Sequence, residues 1–333
     1  MKKLLIFFTI SFCVVNVFAQ DAEQLHETGK TFMKQGDYAN GSLVLSKALQ
    51  KDPENIEIAK DLALDYFFAK ENAKALEIIK PLLEKDNADD QCFQIAGYIY
   101  KSNADVKECE KMYKKGIKKF PHSGPLYNDY GELLWASKDY SAIKQWEKGI
   151  EADPNYGSNY YNAAKYYYLT TDKIWSIIYG ELFINIEPTT SRTVETKNIL
   201  LDSYKKLFSG DELTQNLKGK NDFEKAYLQT INKQSSLANS GINPETATMI
   251  RTRFILDWDE KFAAKFPFKL FEYQHQLLQE GIFDAYNQWI FGPVQNLAAY
   301  QNWTTTHSEE YNGFSKFQKA RIFKISNGQY LHK

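Results

Sequence analysis

The chain has little of what most small catalytic sites are built from. Cysteine is scarce, at three among 333 residues, and Cys13 lies in an apolar N-terminal stretch, so only Cys92 and Cys109 are candidates for chemistry. No paired-cysteine spacing suited to a metal is present. If these two stand near the starts of neighbouring antiparallel helices, they are offset by roughly 13 Å along the axis, beyond the ~7 Å between Cα atoms that a disulfide spans. Two buried thiols are therefore expected. The five histidines, His26, His122, His275, His307 and His332, occur singly, which suits surface and capping roles better than ligation or general-base work. There is no Gly-rich phosphate loop, no Gly-x-Ser-x-Gly elbow and no His-Glu-x-x-His, so no cofactor, no metal and no catalysis is expected. An excess of one charge is also missing. The formal charge is -1, or -3 if Lys2 and Lys3 leave with a leader, and nucleic acid is not indicated as a partner.

What is abundant is aromatic: 22 Tyr and 22 Phe bring the aromatic fraction to 15%, enough for thick helix interfaces or an adhesive groove. The N-terminus has the features of an export leader. Lys2 and Lys3 precede a mostly apolar Leu4 to Phe18, and Val17-Phe18-Ala19 offers modest side chains to a signal peptidase. A signal peptide over residues 1–19, cleaved before Gln20, implies an exported protein, periplasmic or secreted, that does not span the membrane once processed. Phe12 is too bulky to precede a lipidated Cys13.

The strongest regularity is a spacing. Pro53, Asn87, Pro121, Pro154 and Pro188 stand 34, 34, 33 and 34 residues apart, the mark of stacked helical hairpins that share one core. Small residues recur in one register of each first helix, at Gly29, Ala63, Gly97, Gly131 and Ala164, followed three residues later by Phe32, Tyr66, Tyr100, Leu134 and Tyr167. Small positions recur on the second helices as well: Gly41 and Ala48, Ala75, Cys109 and Gly116, Ala142 and Gly149. Where two helices cross closely, a small residue on one receives the bulk of the other. The fifth unit departs, with Gly180 where a large residue is usual and Phe183 where a small one is, which suggests packing against the segment C-terminal to Pro188.

This pattern resembles the tetratricopeptide repeat family over residues 22–188, five units in one register. The resemblance implies an all-α fold, a right-handed α-solenoid of helical hairpins, and a protein-interaction scaffold rather than an enzyme. Beyond it, residues 189–208 carry Ile199, Leu200, Tyr204 and Leu207 at amphipathic spacing and read as a capping helix. Breaks at Ser209-Gly210-Asp211 and near Gly219 precede a C-terminal helical domain over 222–325. There Glu245 to Phe266 reads as a long helix with Ile250, Phe254, Trp258, Phe262 and Phe266 on one stripe. Leu270 to Gln279 and Phe283 to Phe291 read as a degenerate hairpin stopped by Gly292-Pro293, and Tyr311 to Ile322 as a last helix.

In similar repeat proteins the concave groove is lined by set positions of each first helix. Carried onto this chain, they are Lys60, Leu64 and Phe67; Gln94, Tyr98 and Lys101; Asn128, Glu132 and Trp135; Tyr161, Lys165 and Tyr168. Rings beside amides and lysines suit an extended peptide segment of a partner protein. The lysine and asparagine set that grips a C-terminal carboxylate in some relatives is incomplete, because Asn162 and Lys165 occur in one repeat only. Lys107, Lys111, Lys114, Lys115, Lys118 and Lys119 on one second helix read as a solvated outer face. The rival to the scaffold is an envelope carbohydrate or small-ligand receptor, or an enzyme, using Trp258, Trp289, Trp303 and Tyr286 of the C-terminal module.

Overall fold

A computed structural model describes residues 21–210, 213, 217–326 and 328–329. The expected leader over 1–19 and His332 lie outside the described residues. The fold is all-α: the described residues form helices joined by short turns, with no strand among them. Two compact units are present, one ending at Ser137 and the other beginning at Lys138. The division falls within the array expected over 22–188, between the two helices of its fourth hairpin.

The N-terminal unit contains α1 (21–35), α2 (Tyr38–Lys51), α3 (Ile56–Phe68), α4 (Asn72–Leu82), α5 (Asp90–Ser102), α6 (Val106–Lys119) and α7 (Gly124–Ala136). Short polar side chains set the helix starts: Asp37, Asn55, Asp89 and Asp105 each accept a hydrogen bond from a backbone N–H in the first turn of α2, α3, α5 and α6, satisfying donors that the helix itself leaves unpaired. Consecutive helices pack in antiparallel pairs, and first helices also touch their successors, α3 on α5 and α5 on α7. The small-residue register explains how close they come. A Cβ on Gly29 would lie 2.5 Å from Leu45 Cγ, and one on Gly97 would overlap the ring and hydroxyl of Tyr113. Cys92 and Cys109 are free, buried thiols, and burial pushes them up to about 12 and about 11. The turn inside each of the first four hairpins uses a left-handed residue at a constant interval: φ is 75° at Gly36, 63° at Lys70, 56° at Ala104 and 60° at Lys138. Only the first is glycine, so the other three hold a conformation that L side chains disfavour.

The C-terminal unit contains α8 (Ala142–Ala152), α9 (Gly157–Tyr168), α10 (Lys173–Ile186), α11 (Ser191–Leu207), α12 (Asp222–Asn232), α13 (Ser235–Ala238), α14 (Pro244–Lys261), α15 (Lys269–Gln279), α16 (Phe283–Gln295), α17 (Leu297–Thr306) and α18 (Ser308–Ala320). The unusual second helix of the fifth repeat, α10, is buried continuously from Ile174 to Asn185. Its exchanged volumes have a direct cause, because Gly180 receives Leu200 and Thr196 of α11, at 3.1 and 3.3 Å from an added Cβ. The far side of α11 packs on α16, so α11 is enclosed between repeat helices and C-terminal helices.

Two helix ends differ from the sequence expectation. The long helix stops at Lys261 rather than Phe266, although Phe262 and Phe266 still reach the Trp258 ring at 5.3 and 6.1 Å. Gly292-Pro293 does not stop α16, which continues to Gln295. A proline there removes one backbone donor and crowds the carbonyl four residues back, yet α16 runs two residues beyond it. A helix over Leu297–Thr306 comes next, where none was anticipated.

Candidate functional site

In the N-terminal unit the residues expected to line a groove form a ladder from each first helix to the next. Gln94 on α5 donates to Asp129 Oδ2 on α7 at 3.0 Å. Asn128 is buried and donates to Asp129 Oδ1 and Glu132 Oε1 at 3.3 and 3.2 Å. Phe67 on α3 stands 6.4 Å from Tyr98 on α5, ring centroid to centroid, and Lys101 is 3.5 Å from Glu132. Trp135 is 36% exposed. Burial, resisted by the Gln94 and Asn128 amides, raises the Asp129 carboxyl to about 6, so this face carries a carboxyl that is easily neutralised.

Lys60 is placed differently from a groove lysine. It is 3% exposed, and its ammonium donates to Asp89 Oδ2 at 2.5 Å and Gln91 Oε1 at 2.9 Å. Burial alone would lower its pKa, but Asp89 and Glu57 outweigh it and the net direction is upward. This side chain joins two repeats, a role that sequence position did not reveal because both partners sit at the start of the next hairpin.

Two rings that sequence reasoning missed extend the aromatic part of the ladder. Tyr38 stacks on Phe68 at 5.7 Å, and Phe68 meets Phe67 at 5.5 Å. With Tyr98 these make a row of four rings drawn from α2, α3 and α5. Phe68 is 49% exposed, and the signal for it was the doubled Phe67-Phe68 at the end of a first helix.

The C-terminal unit has a ladder of its own, from α9 to α11 at the repeat interval. Tyr161 donates to Glu195 at 2.5 Å, Lys165 pairs with Glu195 at 2.8 Å, and Tyr168 donates to Asp202 at 2.7 Å. Lys165 and Tyr161 hold the Glu195 carboxyl below its ordinary range, and Lys206 and Tyr168 do the same for Asp202. These expected groove residues are thus paired within their own unit.

Three of the six outer lysines of α6 pair with carboxylates: Lys111 with Glu108 at 3.6 Å, Lys114 with Glu110 at 2.6 Å and Lys115 with Glu84 at 2.5 Å. His26 is also paired, 2.7 Å from Asp61 across α1 and α3. Of the aromatic residues offered for a C-terminal ligand site, Trp258 and Tyr286 are fully buried and Trp289 is 8% exposed, which makes them core. Trp303 alone of that set lines a cavity, one of about 420 Å³ bounded by α14, α16 and α17. Among the described residues, no group of three or more His, Cys, Asp or Glu side chains is placed to hold a metal, and no helix is long and apolar enough to cross a membrane.

Paired antiparallel helices at a 34-residue interval, with first helices in mutual contact and glycines at the crossings, define a helical-repeat protein. Residues 32–95 match the family model for the tetratricopeptide repeat, and the chain resembles tetratricopeptide repeat proteins. A stretch of 114 residues, 34% of this chain, is 28% identical to the BBSome complex member BBS4 of Bos taurus. The match spans 22% of that relative's length. Among solved structures, pilF of Pseudomonas aeruginosa is similar at 16% identity and a TM-score of 0.48, covering 64% of this chain and 98% of that one. A thermophilic TPR protein of Thermus thermophilus is similar at 14% identity and 0.44, covering 54% and 99%. A tetratricopeptide repeat protein from Parabacteroides merdae gives 15% identity and 0.43, covering 71% and 92%. The fold is that of a protein-interaction scaffold.

Proposed function

We propose that the first-helix face of the N-terminal unit captures an extended segment of a partner protein and that the chain works as a non-catalytic scaffold. The observation that carries this reading is the row of Tyr38, Phe68, Phe67 and Tyr98, partly open to solvent, with the Gln94 amide beside Tyr98. Rings supply contact area at small entropic cost, and amides both donate to and accept from an extended backbone. Tyr161, Lys165 and Tyr168 carry the same surface chemistry in the C-terminal unit. In this reading a repeat array over 22–188, a helix over 189–208 and a helical module over 222–325 act together outside the cytoplasm, in the periplasm or secreted, after removal of residues 1–19.

The test is selection of binders from a displayed random-peptide library, followed by titration of the best peptide into wild type, Tyr98→Ala, and Trp135→Ala combined with Tyr168→Ala. Truncating anchoring rings is expected to weaken binding at least about tenfold, with thermal unfolding nearly unchanged because none of these rings is fully buried. No enrichment, or equal affinity for every variant, refutes the proposal.

A further inference from the structure

The cavity bounded by α14, α16 and α17 belongs to the C-terminal unit and has no part in the peptide-binding reading. Its volume, about 420 Å³, lies in the range of small-ligand sites. Gln288 lines it and is 3% exposed. Among the described residues, no protein group is hydrogen-bonded to its amide. Its amide faces the cavity, where a ligand hydroxyl can stand as partner. Two further amides are half-committed in a way that leaves donors over. Asn243 and Asn296 cap α14 and α17, each accepting a backbone N–H through its Oδ1 at 2.8 and 3.0 Å, so each NH₂ group is available to a ligand.

The aromatic part of the wall is held in place before any ligand arrives. Tyr300 lies so close to α16 that a Cβ on Gly292 would come within 2.6 Å of its ring. Its hydroxyl is 2.5 Å from that of Tyr311 on α18. Trp303 is stacked flat on His307, at 4.5 Å and 4°. A preorganised wall lowers the ordering cost of binding. The charge on the lining decides the ligand class. Among the described residues, Glu245 is its one carboxylate and it has no Lys or Arg, so a phosphate or carboxylate ligand finds no permanent counter-charge, only the His307 ring stacked on Trp303. One carboxylate is also too few for glycoside hydrolysis, which ordinarily needs a pair.

We propose that this cavity binds a neutral sugar of one or two pyranose rings, its hydroxyls held by Gln288, Asn243 and Asn296 and its C–H face set against Trp303 and Tyr300. The Gln288 amide can donate and accept, while Asn243 and Asn296 supply donors, matching hydroxyls that do both. An amphipathic ring beside these amides suits a ligand with one apolar face.

The test is calorimetric titration of the full-length protein with methyl glycosides of glucose, galactose and mannose, with N-acetylglucosamine, and with lactose, maltose and cellobiose. Inorganic phosphate and choline are run in parallel. At least one neutral sugar is expected to bind with Kd tighter than about 10 mM. Trp303→Ala, on a helix with no buried residue, should weaken it about tenfold or more, and Gln288→Met should weaken it similarly. Unchanged thermal unfolding of Trp303→Ala keeps that comparison clean even if Gln288→Met folds poorly. Failure of every neutral sugar, preference for phosphate or choline, or full binding by Trp303→Ala overturns the assignment. The peptide-library result is independent of all these outcomes.

Discussion

Removing the charge of Glu181 should destabilise the C-terminal unit more than most substitutions in this chain. Glu181 on α10 is 1% exposed and its ion-pair partner Arg251 on α14 is 2% exposed. The same carboxylate oxygen accepts from Gln274 at 2.7 Å and from Tyr286 at 2.9 Å, and Arg251 also donates to Asn287. Three aromatic rings surround the guanidinium at 5.4 to 5.5 Å. Shut away from solvent, Glu181→Gln leaves a cation in an apolar site, which costs about 3–5 kcal/mol. That is a large share of the ~5–15 kcal/mol that a domain commands. Replacing both partners, as Glu181→Leu with Arg251→Met, removes the desolvation problem along with the attraction and should restore most of the loss. Trp175 and Trp258 are fully buried in this unit, so tryptophan fluorescence in urea tracks its unfolding, and hydrogen exchange in α10 and α14 localises it. A cost for Glu181→Gln below about 1 kcal/mol, or a double variant no better than the single, would refute the account of this pair.

Three smaller perturbations probe other parts of the fold. Gly97→Ala forces a Cβ into the ring of buried Tyr113 and should cost roughly 1–3 kcal/mol as an overpacked crossing; chemical denaturation of the variant measures it, and a neutral result would mean that α5 and α6 are further apart. Ala104→Gly, at φ 56°, should stabilise by about 1 kcal/mol by relieving a left-handed alanine, read from the urea midpoint. Burial lowers the Lys197 ammonium to about 7. A lysine whose folded pKa lies below its unfolded value binds fewer protons when folded, so C-terminal stability should rise between about pH 7 and pH 10. The Trp289 ring 3.7 Å from its Nζ favours the charged form and should raise the lower edge of that window, narrowing it. Lys197→Met should flatten the profile and raise stability at pH 6; an unchanged profile rules the titration out.

Much of the architecture was legible because stacking leaves marks at every repeat. Glycine or alanine at 29, 63, 97, 131 and 164 recurs because helix crossings admit nothing larger, and periodic prolines recur because hairpins must end. The inverted volumes at Gly180 and Phe183 were a readable sign that α10 packs forward onto α11. Other features left weaker marks. The left-handed turns at Lys70, Ala104 and Lys138 carry no glycine, so geometry imposed by the flanking helices outweighs local preference there. Glu181 is a lone charge in an apolar run, but Arg251 stands beside Arg253 in a mixed segment, and nothing local names the partner 70 residues away. Lys60 occupies a groove slot by register and is drawn inward by Asp89 and Gln91. The amide-lined cavity depends on α17, a helix with little amphipathic pattern whose place is set by Gly292 receiving Tyr300.

The first-helix face is tested most directly by amide hydrogen exchange of the full-length protein with and without the selected peptide. Slowed exchange confined to the start of α2 and to α3, α5 and α7, with α4 and α6 unchanged, is the predicted result. Slowing on α4 and α6, or none in the N-terminal unit, would contradict it.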